Sequence, residues 1–140
     1  MNNNITIFCD ELNNTTVCDI EYDGRTFTGI AKCHPDDVTF FSERTGGFIA
    51  EMRANIKLLK YKRNHEIIPI YKALKRLHTN MSSSTHYDKH SYEARMLYKE
   101  LQKYENEIIM INNDIKSEKQ YLKDYLNNKD LMYKKHLGQN

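Results

Sequence analysis

At 140 residues, 39% hydrophobic and 29% charged, the chain suits one domain with much surface per residue, an elongated rather than a spherical body. No run approaches the roughly 18 consecutive apolar residues of a membrane span, and the polar start MNNNIT has no apolar core behind a charged region, as a leader would. Cys9, Cys18 and Cys33 are an odd number in the N-terminal third, which argues against a disulfide framework and for reduced core thiols in a cytoplasmic protein.

The net charge of +2 divides unevenly. Residues 1–47 hold three Lys/Arg against eight Asp/Glu, a net of −5; residues 48–78 hold eight against two, +6; residues 79–140 hold ten against nine, +1. The basic middle is where an anionic partner would be favoured, and a solvated helix face is the competing explanation.

In chain order, Ile5, Ile7 and Cys9 alternate with polar neighbours, the period of a half-buried strand. Glu11–Asn14 reads as a turn. Val17–Tyr22 and Arg25–Cys33 flank Asp23-Gly24, the dipeptide of a type I′ hairpin, in which both turn residues need positive φ. A two-residue loop sets Tyr22 against Arg25, Ile20 against Phe27 and Cys18 against Gly29 on the buried face, with Asp19, Glu21, Thr26 and Thr28 on the wet one. So thin a sheet needs a cover, for which Phe40, Phe41, Phe48 and Ile49 are available.

From Phe48 the period becomes helical: Met52, Ile56, Leu59, then Ile67, Ile70, Leu74 and Leu77. Gly46-Gly47 predicts a break just before this helix, and Pro69 a kink or division one turn upstream of itself. The polar run 79–90 is a turn, and Ser91 is placed to cap a second helix. That helix carries Ala94, Leu97, Leu101, Tyr104, Ile108, Ile111, Ile115, Glu118, Leu122, Tyr125, Lys129 and Met132 at three-four spacing, a sustained heptad. At about 1.5 Å per residue it would be on the order of 70 Å long, more than the first helix covers. Tyr98, Met110, Tyr121 and Tyr133 add apolar surface beside the stripe, so self-association through the helices, a homodimer at least, is expected. The fold class is therefore α+β: a small N-terminal antiparallel β-meander (1–35), a connector (36–47), and a long antiparallel two-helix coiled-coil hairpin (48–78, kinked near 69, and 91–137), all in a single domain.

The chemistry-bearing residue types are sparse. Cys9, Cys18, Cys33 and His34 lack CxxC spacing, and adjacent strand residues such as Cys33 and His34 face opposite ways, so no metal site is expected. Nothing places a base beside a particular thiol. Glu43-Arg44-Thr45-Gly46-Gly47 could turn amides toward a phosphate but is no known nucleotide loop, and a hinge accounts for the glycines as well. Arg53, Lys57, Lys60 and Arg63 fall near one side of the helix, with Lys72, Lys75 and Arg76 beyond, a phosphate-binding strip or a solvated face. No catalytic constellation stands out, so binding without catalysis, and without a cofactor, is expected.

The run Tyr22-Asp23-Gly24-Arg25-Thr26-Phe27-Thr28-Gly29-Ile30-Ala31-Lys32-Cys33-His34-Pro35-Asp36-Asp37, followed by Phe41, Gly46, Ala50 and Arg53-Ala54, resembles small proteins of phages that infect Gram-positive bacteria. With strands first and two long helices last, the chain is similar to the first Thoeris anti-defence family. The resemblance implies a sponge that captures the cyclic ADP-ribose isomer made by bacterial TIR-domain enzymes, with cyclic oligonucleotides as a further ligand class. It also implies dimers built through the helices, with nucleotide pockets at or near subunit boundaries; it transfers no ligand residue to a numbered position. A diphosphate needs cations and an adenine needs an aromatic face. On that chemistry Arg53, Lys57, Arg63, Arg76 and Arg95 are the candidate phosphate ligands, and Tyr92 and Tyr98 the candidate stacking residues. The alternatives are a coiled-coil adaptor or inhibitor of a host protein and a nucleic-acid-binding protein; low total charge and the lack of a reading motif count against the latter.

Overall fold

The computed structural model describes residues 4–10, 12–32 and 43–137. It is α+β: a three-stranded antiparallel sheet followed by helices. The strands are β1 (Asn4–Asp10), β2 (Thr15–Tyr22) and β3 (Arg25–Lys32), in that spatial order. The helices are α1 (Glu43–Lys62), α2 (Ile68–Ser82) and α3 (Tyr92–Leu137), with a π-helical turn over Arg63–Ile67 between the first two. The chain divides into two compact units, Met1–Leu59 with Ile115–Asn140, and Lys60–Asp114.

In the first unit, Asp23 and Gly24 take φ of 51° and 71°, the left-handed geometry of the type I′ turn. The resulting register pairs Tyr22 with Arg25, Ile20 with Phe27 and Cys18 with Gly29, and β1 continues it with Ile5 against Ile20, Ile7 against Cys18 and Cys9 against Thr16. Cys18, Ile20 and Ala31 form the sheet's contribution to the core, against Ile49, Ala50, Ala54 and Leu58 of α1, with Leu122, Tyr125 and Leu126 of α3 packed on it. Ala50 and Ala54 have no exposed surface, and they let the α1 backbone lie directly on β3. A Cβ built on Gly29 would fall on the Ala50 carbonyl oxygen and 2.5 Å from the Ala54 nitrogen. Such contact of backbone with backbone is open only to glycine.

Four features differ from the sequence reading. α1 begins at Glu43, five residues before Phe48, and Gly46-Gly47 lie buried inside its first turns rather than breaking the chain ahead of it. Burial against the sheet outweighs the propensity cost of two glycines, about 1 kcal/mol each. Cys9, expected among core thiols, is exposed, as are Ile5 and Ile7, because β1 lies at the sheet edge. Of the expected covers, Ile49 is in the core while Phe48 stays 37% exposed, and Phe40 and Phe41 lie outside the described residues. The outer face of the sheet carries the polar pair Thr28–Asp19, joined by a 2.6 Å hydrogen bond, but also an apolar row, Phe8, Val17 and Ile30, directly across the three strands.

In the second unit, the π turn ends two residues before Pro69, and the Ile68 N–H donates to the Arg63 carbonyl five residues back. Proline has no N–H and its ring crowds the carbonyl four residues upstream, so the extra residue of a π turn absorbs the misfit. Ser91 caps α3, its hydroxyl accepting from the Ala94 N–H at 3.2 Å. Ala94, Leu97 and Ile111 are buried along the heptad stripe, whereas Met96, Tyr98, Ile109 and Met110 are exposed.

Candidate functional site

The first unit holds an open groove. Its floor is the inner face of β1, Ile5, Ile7 and Cys9; one wall is the start of α1, from Arg44 to Asn55; the other is α3, at Glu118, Tyr121 and Tyr125. Two adjoining cavities, of about 460 Å³ and 830 Å³, share Phe48, Glu51 and Tyr121. Phe48 meets Tyr125 at 4.9 Å and Tyr121 at 6.0 Å between ring centroids, so three aromatic rings line the groove together. The larger cavity opens on Arg44, Thr45 and Gly47 in the first turns of α1, where the helix macrodipole presents its positive end. Glu51 and Glu118 supply acceptors for hydroxyl or amine donors. Aromatic faces, a guanidinium, a helix N-terminus and carboxylate acceptors are groups that can bind the base, phosphates and hydroxyls of a nucleotide.

A second recess, about 540 Å³, lies in the other unit along α2, lined by Lys72, Lys75, Arg76, Thr79 and Asn80. These residues share one helix face at three- and four-residue steps. They are exposed, so their attraction for an anion is screened by salt.

The residues singled out from the sequence are distributed over both units. Arg53 donates from Nη1 to the Ile30 carbonyl at 2.6 Å, and Lys57 from Nζ to the Thr28 carbonyl at 2.7 Å, so both serve the outer edge of β3. In the second unit, Arg63 donates to the side-chain oxygens of Asn64 and Asn112, at 3.0 and 2.9 Å. Arg76 lines the α2 recess. Arg95, Tyr92 and Tyr98 are exposed on the first turns of α3, and Gln102 donates to the Tyr98 hydroxyl at 3.0 Å. None of the seven lines the aromatic groove. By sequence pattern the residues that do line it belong elsewhere: Tyr125 to the heptad stripe, Tyr121 to the surface for self-association, Phe48 to the cover of the sheet. The available signal is the four-residue interval between Tyr121 and Tyr125, which puts both rings on one helix face.

No family model matches the chain, and neither the curated proteins nor the solved structures contain a match to it. Among the described residues no group of three or more His, Cys, Asp or Glu is placed to hold a metal ion, and no helix is long and apolar enough to cross a membrane. Cys33 and His34, half of the set weighed for zinc, lie outside the described residues.

Burial pushes the Cys18 thiol above its ordinary pKa of 9.0, and the negative charges of Glu51 and then Asp19 push it further in the same direction. The thiol therefore stays protonated in the fold at a pH where the unfolded chain has lost that proton. Its contribution to stability is complete below pH 9.0 and falls as pH rises from there toward the higher folded value. Urea unfolding of the protein and of Cys18→Ala, followed from about pH 8 to about pH 10, should show a decline in the former that is shallower in the latter; parallel curves would assign the decline to other groups.

Proposed function

We propose that this protein is a non-enzymatic phage anti-defence sponge, which acts in the cytoplasm of the infected bacterium and holds a nucleotide immune signal. The ligand on this reading is a cyclic ADP-ribose isomer, with cyclic oligonucleotides as a further class, and its capture keeps the Thoeris effector inactive. The observation that carries the proposal is the aromatic groove of the first unit. Phe48, Tyr121 and Tyr125 offer faces for an adenine, Arg44 and the first turn of α1 offer charge for phosphates, and Glu51 and Glu118 offer acceptors for ribose hydroxyls. The resemblance of residues 22–37 to the anti-defence family names the signal class. Reading the helices as an antiparallel coiled-coil hairpin that self-associates belongs to the same proposal, supported by the heptad of α3 and by exposed Met96, Tyr98, Ile109 and Met110. The α2 recess, with Arg76, is the alternative seat for the phosphates.

Calorimetric titration of the full chain with cyclic ADP-ribose isomers and cyclic oligonucleotides tests it, with the ligand released by heating and its mass compared with the input. Tight binding and unaltered ligand are expected. Altered ligand would make the protein an enzyme, and no binding across the panel would discard the sponge. The exposed apolar residues of α3 favour a second reading, a coiled-coil adaptor or inhibitor, which predicts a host protein retained in a pull-down and no bound small molecule.

A further inference from the structure

The two edges of the sheet are treated differently. In an antiparallel pair, residues alternate between those whose N–H and C=O face the neighbouring strand and those whose groups face away. A two-residue type I′ hairpin makes Tyr22 and Arg25 a hydrogen-bonded pair, and the register carries the alternation through the sheet. Thr28 and Ile30 then point their backbone groups away from β2, and these are the two carbonyls that Lys57 and Arg53 occupy. On β2, the groups of Val17 and Asp19 must face β1, where they meet Phe8 and Thr6. The groups of Ile5, Ile7 and Cys9 are therefore the ones that face outward, and no partner stands on them among the described residues.

An edge of this kind, with no lysine or proline on it and three apolar side chains 45–49% exposed at Ile5, Ile7 and Phe8, is a template for another strand. We propose that the outer edge of β1 pairs antiparallel with β1 of a second copy about a two-fold axis at Ile7, joining two sheets into one of six strands. The strand is self-complementary in that register. Ile7 meets Ile7 of the other copy, and Ile5 meets Cys9, so all three outward-facing residues find hydrogen-bonding partners. Shifting the axis to Thr6 or Phe8 pairs only two of them. The one charged residue of β1, Asp10, falls opposite Asn4, so no like charges meet. The side chains of Ile5, Ile7 and Cys9 share the inner face, so the groove floor of each copy continues into that of the other. This interface is separate from self-association through the helices, and it holds whether or not the groove takes a nucleotide.

The test is a register-specific cross-link. Ile5→Cys in the full chain places a thiol opposite Cys9 of the second copy, at the Cα separation of about 5.5 Å of a hydrogen-bonded pair, within disulfide range. Within one chain the two positions are four residues apart along an extended strand, about 13 Å, and cannot be joined. Mild oxidation should give a covalent dimer whose bridged peptides contain positions 5 and 9, whereas Thr6→Cys, on the opposite face, should give no bridge to Cys9. Ile7→Pro removes one outward N–H, leaves the β1–β2 bonds intact, and should shift the sedimentation coefficient toward a smaller species with an unchanged far-ultraviolet spectrum. If that variant does not fold, the cross-link alone decides. A monomeric wild-type chain, or no bridge between positions 5 and 9, overturns the proposal.

Discussion

Gly29→Ala is expected to destabilise the protein by about 3 kcal/mol, the upper part of the range for overpacking a closed core. Gly29 has no positive φ, so alanine is at no conformational disadvantage there, and the whole effect comes from space. The added methyl would meet the Ala50 carbonyl oxygen and the Ala54 nitrogen, backbone atoms of a helix that cannot rotate away as a side chain could. Either α1 lifts from β3, which opens Ala50, Ala54 and Leu58 to water and lengthens the bonds from Arg53 and Lys57, or the strand buckles. Gly47→Ala is the contrast: among the described residues its Cβ would find the Ile7 side chain, at 3.5 Å, an ordinary contact. Because Gly47 lies within α1, alanine there should be neutral or stabilising by up to about 1 kcal/mol. Urea unfolding of both variants separates the two outcomes, and equal midpoints would mean that α1 does not rest on Gly29.

The second large effect concerns the proposed nucleotide ligand. Tyr121→Ala should weaken nucleotide binding about 5- to 150-fold, since a base stacked on an aromatic ring contributes about 1–3 kcal/mol. Tyr121 is 57% exposed and touches Phe48 only edge to face, so the fold should lose little. Paired removal of Lys72 and Arg76, both exposed on α2, should leave affinity within a few-fold if the groove is the site. The reverse pattern, binding lost with the α2 pair and kept without Tyr121, would move the site to the basic recess. Arg53→Ala and Lys57→Ala are less informative about phosphate contact, because each also removes a hydrogen bond to the β3 edge.

Much of the first unit was legible in the sequence because its determinants are local. Asp23-Gly24 dictates the type I′ turn, the turn dictates the β2–β3 register, and that register places Cys18 opposite Gly29; which backbone groups of β1 face outward depends on its pairing with β2, which only the structure shows. The three-four spacing from Ala94 onward likewise announced α3, and Ser91 announced its start. The candidate site was not legible in the same way. Arg53 and Lys57 look like phosphate ligands from their helical spacing, yet spacing says only that they share a face. That the face lies over the edge of β3 depends on where α1 packs, and α1 packs there because Gly29, Ala50 and Ala54, distant in sequence, together allow backbone to touch backbone.

The glycine pair shows the same division. Locally, Gly46-Gly47 weakens a helix; in the fold their burial keeps them inside one, because packing against the sheet outweighs intrinsic propensity. Tyr121 and Tyr125 follow a helical period that a packed core and a binding wall satisfy equally, and only the position of Phe48 and of β1 turns them toward an open groove. Sequence alone determined the strands, the register of the β2–β3 hairpin and the periodic faces of the helices, since turn geometry and side-chain period act over a few residues. Tertiary structure alone decided which face is covered and which cation is already engaged, since those depend on contacts between segments that the chain brings together only when it folds.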